Sequence, residues 1–425
     1  MPVFVGAGTS AFMKGDGGIG VTRLTTTQRN AITAVEGQII YNSTLNVIEY
    51  YTGSSWSKIS PILCVLNTVT GNIGAGLATN LTLAGEGFLT SGLVVNFVQS
   101  ADSIDVNVTV TPSSDTAATV TIPASIYNNV TAGRAVTIKL TNSDGSISGT
   151  VNKTAVAAPT GGTITAYSGY RSHKFTSSGT FTATALVSQV DALIVAGGGG
   201  GGGDNAGGGG AGGMEVHTGV NVSAQGYSIV IGGGGTGSTE SHGDGGPYAT
   251  SGSNSSAFGY TATGGGQGAS SGGANAGSGG SGGGGGNEAA SATGGSGTSG
   301  EGNNGGNGAN GGGGGGGGKG AVGQNGNVRS SAKGGLGGAG LQNNYETGSN
   351  QWYAAGGNGG NENSQYDSPG STNSIGGVSN TNNSSRSSSG TANTGSGGGG
   401  GTHTTSAQPA GGDGGSGVVV IRYAV

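Results

Sequence analysis

The sequence predicts an all-β chain with a small N-terminal β-meander, a β-sandwich, and a C-terminal glycine-rich domain framed by β-strands. Three observations carry this. Short apolar runs alternate with polar residues across the first third of the chain, as in half-buried strands. Glycine accounts for 104 of the 425 residues, concentrated after Ala196. That tract is entered through Asp191-Ala192-Leu193-Ile194-Val195-Ala196 and left through Val418-Val419-Val420-Ile421-Arg422-Tyr423, runs of the type that pair in sheets. A flexible tail has no reason to finish on a buried-type strand, so residues 190–425 read as one closed unit whose first and last strands are neighbours.

Composition narrows the function classes. Charged residues at 8% and aromatics at 5% are both low for an ordinary enzyme, and a net charge of −5 does not fit highly charged disorder. The 14 Lys and Arg residues are scattered singly and form no basic patch, so nucleic acid is not an expected partner. Cys64 is the sole cysteine, which excludes an intrachain disulfide or a Cys-based zinc site; it reads as a small buried apolar residue. The N-terminus, Met-Pro-Val-Phe-Val-Gly-Ala-Gly, has neither a basic lead nor a long apolar core, so no signal peptide is expected. No window reaches the ~18 apolar residues of a membrane span.

Residues 1–61 form the first module. Thr25-Thr26-Thr27-Gln28 has capping-box spacing ahead of a brief helical turn. Gly37-Gln38-Ile39-Ile40-Tyr41-Asn42, Val47-Ile48-Glu49-Tyr50-Tyr51 and the segment around Trp56 read as strands joined by polar turns. Leu24, Gln28, Arg29, Gly37, Ile39, Tyr41, Asn42, Asn46, Glu49, Tyr51, Gly53 and Trp56 together resemble a short module of tailed-bacteriophage structural proteins. The resemblance implies virion attachment or trimerisation. A meander this small buries too little surface alone, so Ile39, Tyr41, Ile48, Tyr50 and Trp56 are expected at an attachment or oligomer interface, or else packed on the next domain of the same chain.

Residues 62–158 alternate strictly, as in Asp105-Val106-Asn107-Val108-Thr109-Val110 and Ala135-Val136-Thr137-Ile138-Lys139-Leu140. Asn142-Ser143-Asp144-Gly145 supplies a hairpin turn. About seven short strands predict a sandwich. Leu81-Thr82-Leu83-Ala84-Gly85-Glu86-Gly87-Phe88, Ile122-Pro123 and Gly133 ahead of Val136-Thr137-Ile138 resemble the IPT/TIG-type immunoglobulin-like domain, which implies a spacer or, in occasional cases, a weak carbohydrate holder, the spacer being the preferred reading.

Residues 159–189 read as a linker with lead-in strands. His173-Lys174-Phe175-Thr176-Ser177-Ser178-Gly179-Thr180-Phe181, the Leu193-Ile194-Val195-Ala196 entry into glycine and the terminal Gly417-Val418-Val419-Val420-Ile421-Arg422-Tyr423 resemble the glycine-rich domain of phage tail fibres and adhesins. The resemblance implies packed polyglycine II helices with distal recognition loops. Physics permits such a lattice: a left-handed three-residue helix has no internal hydrogen bond and points every N–H and C=O sideways. Fixing a residue costs ~1–2 kcal/mol while a net hydrogen bond returns ~0.5–1.5, so apolar anchors are required. Leu193-Ile194-Val195, Tyr227-Ser228-Ile229-Val230-Ile231 and Val418-Val419-Val420-Ile421 supply them. Collagen is excluded by the irregular glycine spacing and only 8 prolines.

Between the glycine tracts lie inserts of another character. Tyr345, Trp352, Tyr353, Asn343, Asn344 and Gln351, with Tyr366 further on, combine aromatic and amide side chains as receptor-binding loops do; the alternative is that the aromatics cap the rods. No catalytic residue, cofactor site or metal site is expected. Gly313 to Lys319 mimics a P-loop, but Gly320 stands where Ser or Thr must be, and the four histidines lack metal spacing.

Two function classes remain. One is a virion fibre protein acting as a receptor-binding adhesin for a host cell-surface glycan or outer-membrane protein. The other is a structural head, neck or capsid fibre or decoration protein without a receptor. Both place a homotrimer among other virion structural proteins, at the virion surface, assembled in the host cytoplasm.

Overall fold

The computed structural model describes residues 12–13, 19–59, 63–239, 248–271, 276–287, 292–327, 333–361, 375–379, 386–403 and 410–425. The chain divides into two compact units, Met1–Ala155 and Val156–Val425.

In the first unit, strands Thr22–Leu24, Ile39–Asn42, Val47–Tyr51 and Trp56–Ile59 form a four-stranded sheet in that order. Helix Thr26–Ala31 starts on the expected capping box, with Thr25 and Gln28 each accepting from the other's backbone N–H. The following sandwich has five strands in one sheet and three in the other. Alternation drives it: in Asn80–Glu86 and Leu93–Gln99 every second residue is buried. Leu81, Leu83, Val95, Phe97, Val120, Ile138 and Leu140 from both sheets share one core. Cys64 joins this core as expected, and burial pushes its thiol up from the usual range.

The second unit is built on a five-stranded sheet ordered Thr163–Tyr167, Tyr170–Phe175, Val418–Ala424, Gln189–Val195, Met214–Asn221. The strands that frame the glycine tract are indeed neighbours, antiparallel with Asp191 opposite Arg422 and Val195 opposite Val418. Both are buried over most of their length, which is why they read as continuous apolar runs. Strands Thr163–Tyr167 and Tyr170–Phe175 belong to the same sheet. The lead-in strands expected in 159–189 are thus present, and they lie within the second unit, which starts at Val156.

Beyond the sheet, glycine forms a lattice. In residues 197–202, the N–H groups of Gly197 and Gly200 donate to Ser253 and Thr250, those of Gly198 and Gly201 to Gly415 and Gly412, and those of Gly199 and Gly202 to Gly210 and Gly207. Their carbonyls accept from Gly265 and Gly268, Gly235 and Ser238, and Gly398 and Gly401. All twelve bonds measure 2.8–3.0 Å. Every third residue returns to the same neighbour, which is the three-fold repeat of polyglycine II. Partner numbers fall along the donor side and rise along the acceptor side, so this rod has three antiparallel and three parallel neighbours. Residues 206–211 also have six neighbouring rods, reached through Gly398, Gly266, Gly314, Gly199, Gly284 and Gly357, of which only the one through Gly314 is parallel. Packing is close enough that a Cβ on Gly199, Gly209 or Gly316 would overlap a neighbouring backbone carbonyl.

Where no further rod is available, side chains replace it. Asn304 and Asn307, three residues apart, accept from the N–H groups of Gly297 and Gly294 at 2.9 and 3.0 Å. Asn358 and Asp413 do the same for Gly337 and Gly237. Many polar residues of the tract thus complete the backbone bonding of edge rods, since an unpaired buried N–H is costly.

Candidate functional site

Two places answer to the expected site residues. The first is the four-stranded sheet of residues 22–59. Register sets Ile39 opposite Tyr50, Tyr41 opposite Ile48, and Ile48 opposite Ile59, so these five side chains share one face. Ile39, Ile48, Tyr50 and Ile59 are 38–45% exposed, and the Arg23 guanidinium lies 5.7 Å from the Tyr41 ring centre on the same side. Trp56 is a correction: it pairs with Tyr51 on the opposite face, ring centres 5.4 Å apart. Ile59 and Arg23 were not legible as members of this face, because the strands Trp56–Ile59 and Thr22–Leu24 hold too few apolar residues to show their phase.

The opposite face explains the motif residues. Arg29, from the helix, donates to both Glu49 oxygens at 2.7 and 2.8 Å. Asn42 donates to Glu49 Oε2 at 2.9 Å and bonds Thr26 Oγ1. Glu49 and Asn42 are buried, and this closed polar network locks helix to sheet. With that face occupied, the apolar face is left for a partner.

The second place is the segment 341–353. Leu341–Asn343 and Gln351–Tyr353 pair as a hairpin that lies on one face of the five-stranded sheet. Tyr353 and Tyr345 are only 2% and 6% exposed and join Leu193, Val195, Met214, Val418 and Val420 in one core. Their removal from solvent overturns the expectation that they stack on a receptor. Glu346 accepts from the Tyr353 hydroxyl at 2.8 Å and pairs with Lys174 at 2.7 Å. Burial, reinforced by that carboxylate, pushes the Tyr353 phenol far up. The Tyr167 hydroxyl donates to the Tyr345 carbonyl and the Ser172 hydroxyl to that of Glu346. Arg422 lies between the rings of Tyr345 and Tyr170, 3.8 and 4.5 Å from their centres, and bonds Asp191 at 3.1 Å.

The remaining expected residues are distributed around this anchor. Asn343 accepts from the Tyr345 N–H, and Asn344 accepts from Arg422 at 3.3 Å. Gln351 is exposed, opposite Asn343. Trp352 pairs with Gln342 on the alternate face of the hairpin, away from the side that carries buried Tyr353. Tyr366 lies outside the described residues. The hairpin leaves the lattice at the sheet end, where Lys319 N–H bonds the Ala354 carbonyl, and so is not a distal loop. Glu346 and Arg422, which hold it, were missed as partners because they are far apart in sequence.

The framing motifs prove to be contacts with each other. His173 lies buried in the sheet opposite Ile421, with Nδ1 2.7 Å from the Gly161 carbonyl and Nε2 3.1 Å from the Tyr423 hydroxyl. Residues 175–424, more than half of the chain, match the model of a glycine-rich domain. The chain belongs to the glycine-rich domain family. Residues 10–73 match a phage tail-like trimerisation region, which covers the four-stranded sheet with its open apolar face. A glycine-rich domain preceded by that region makes this a phage tail fibre-type structural protein, a virion component that forms a homotrimer. No curated protein matches the chain. Among the described residues no helix is long and apolar enough to cross a membrane.

Proposed function

We propose that this tail fibre-type protein is a host-recognition adhesin, with the 341–353 hairpin as a receptor-contacting element of its glycine-rich domain. The observation that carries this reading is the division of labour within the hairpin. Tyr345, Tyr353 and Glu346 fasten it to the sheet, so Trp352, Gln342 and Asn350 are presented on a rigid base, with Asn350 donating to Gln342 at 3.3 Å. A fixed aromatic flanked by amides contacts a glycan or an outer-membrane protein at low entropic cost. The sandwich, with its IPT/TIG resemblance, serves as spacer.

The test uses the full-length trimer and cells of the bacterium on which its phage grows. Wild type binds the cells, and Trp352→Ala lowers binding at least tenfold while thermal unfolding is unchanged. Tyr353→Ala differs: it lowers binding together with unfolding temperature. Absence of wild-type binding supports a fibre or decoration protein without a receptor; full binding by Trp352→Ala removes the hairpin from the contact.

A further inference from the structure

A second surface, on the face of the five-stranded sheet opposite the 341–353 hairpin, has a built geometry that the preceding reading does not use. Leu193 is opposite Val216 and Ala192 opposite His217, so Glu215 and His217 of the edge strand point to the side away from Leu193 and the hairpin. There the His217 imidazole lies flat on the Tyr260 ring, with centres 3.6 Å apart and planes 18° apart. His217 Nε2 is 2.8 Å from Glu215 Oε2. Tyr260 comes from the Tyr260–Ala262 strand of a separate short hairpin and is 40% exposed. One face of its ring is covered by His217; among the described residues its hydroxyl has no partner.

We propose that Tyr260, backed by His217 and flanked by Glu215, is a carbohydrate-binding platform that takes one pyranose ring. A pyranose has a face of C–H groups and a rim of hydroxyls. It needs a flat apolar surface with hydrogen-bonding groups at the edge, and Tyr260 supplies both the ring and a phenolic hydroxyl. Glu215 is tied to His217 through Oε2, which leaves Oε1 to accept from a sugar hydroxyl. The imidazole is held by that carboxylate, so the Tyr260 ring is fixed before the ligand arrives and little side-chain freedom is lost on binding. A single platform of this size binds weakly, and repetition in a trimer raises the effective affinity on a dense glycan surface by roughly 10²–10⁴.

The full-length protein is tested by saturation-transfer NMR with the methyl pyranosides of glucose, galactose and mannose. At least one sugar shows transfer concentrated on the C–H protons of one ring face. Tyr260→Ala abolishes this ring-face transfer, and Glu215→Gln weakens it several-fold with the ring stack intact. Thermal unfolding of each variant reports whether the fold is retained. No transfer from wild type with any of the three sugars at tens of millimolar overturns the proposal, as does transfer undiminished in both Tyr260→Ala and Glu215→Gln.

Discussion

His173 shows how much a single side chain carries in this unit. It is fully buried between the Gly161 carbonyl and the Tyr423 hydroxyl, edge-on to Phe181. Burial lowers its pKa below the ordinary value near 6.5; the Gly161 bond opposes this and the Arg171 charge reinforces it. The same interior pushes Tyr423 up to about 12. Because the folded state refuses a proton that the unfolded chain accepts, the His173 contribution is complete above about pH 6.5 and is lost as pH falls through the lower folded value. Unfolding of the glycine-rich domain followed by urea titration is therefore expected to shift to lower midpoint as pH falls below about 6.5. His173→Gln, which keeps polar contacts without a titrating ring, flattens that dependence; an unchanged slope assigns it to other groups.

At the scale of elements, the four-stranded sheet has two faces with opposite fates. One is closed by the Arg29–Glu49–Asn42 network under the helix. The other leaves Ile39, Ile48, Tyr50 and Ile59 in water, and covering the exposed part of each is worth about 1 kcal/mol. Repeated in three copies, this burial favours a trimer, against the cost of association, without any change in the sheet itself. Ile48→Asp, at the centre of the face and with register partners on both sides, is expected to convert the trimer to monomer by sedimentation, while the far-ultraviolet spectrum stays the same. Trimers that persist would move the principal contacts to other elements.

At the scale of the whole molecule, the glycine lattice is a cooperative object. A rod residue makes one donated and one accepted bond, so the net is one bond per residue, ~0.5–1.5 kcal/mol, against ~1–2 kcal/mol for ordering its backbone. The deficit is met by the sheet, whose apolar strands fasten rods to a core. One intruding methyl group separates rods that must lie in contact. Gly209→Ala would press its Cβ into the Gly199 carbonyl, and the domain is expected to melt many degrees lower. Gly233 is exposed, with open space where a Cβ would stand. Gly233→Ala therefore leaves the melting temperature unchanged or raises it slightly, by reducing the freedom of the unfolded chain. Equal effects of the two substitutions in calorimetry would contradict a close-packed lattice.

Much of this was legible in the sequence, and the reason is local. Alternation along Asn80–Glu86 or Leu93–Gln99 reports one buried face without knowledge of the partner strand. The apolar runs at Leu193 and Val418 announce strands buried on both sides, and seven successive glycines exclude a side-chain core between them. All-β architecture, strand-bracketed closure and an interface-seeking N-terminal meander follow from those patterns. The sequence could not decide which way individual side chains face when a segment is too short to reveal its phase. Trp56 and Ile59 sit three residues apart in one strand, yet register with Tyr51 and Ile48 sends them to opposite sides. Tyr345 and Tyr353 looked like a binding loop because aromatics beside amides suit both recognition and anchoring. Their burial rests on contacts with Leu193, Glu346, Arg422 and Val420, partners up to some hundred and fifty residues away. Likewise the six neighbours of each central rod follow from how the returning chain is stacked, since glycine carries no side chain to record its partners. Local pattern fixes what each segment must bury or bond; the tertiary structure alone decides against what, because those partners are brought together by folding and leave no trace in the spacing.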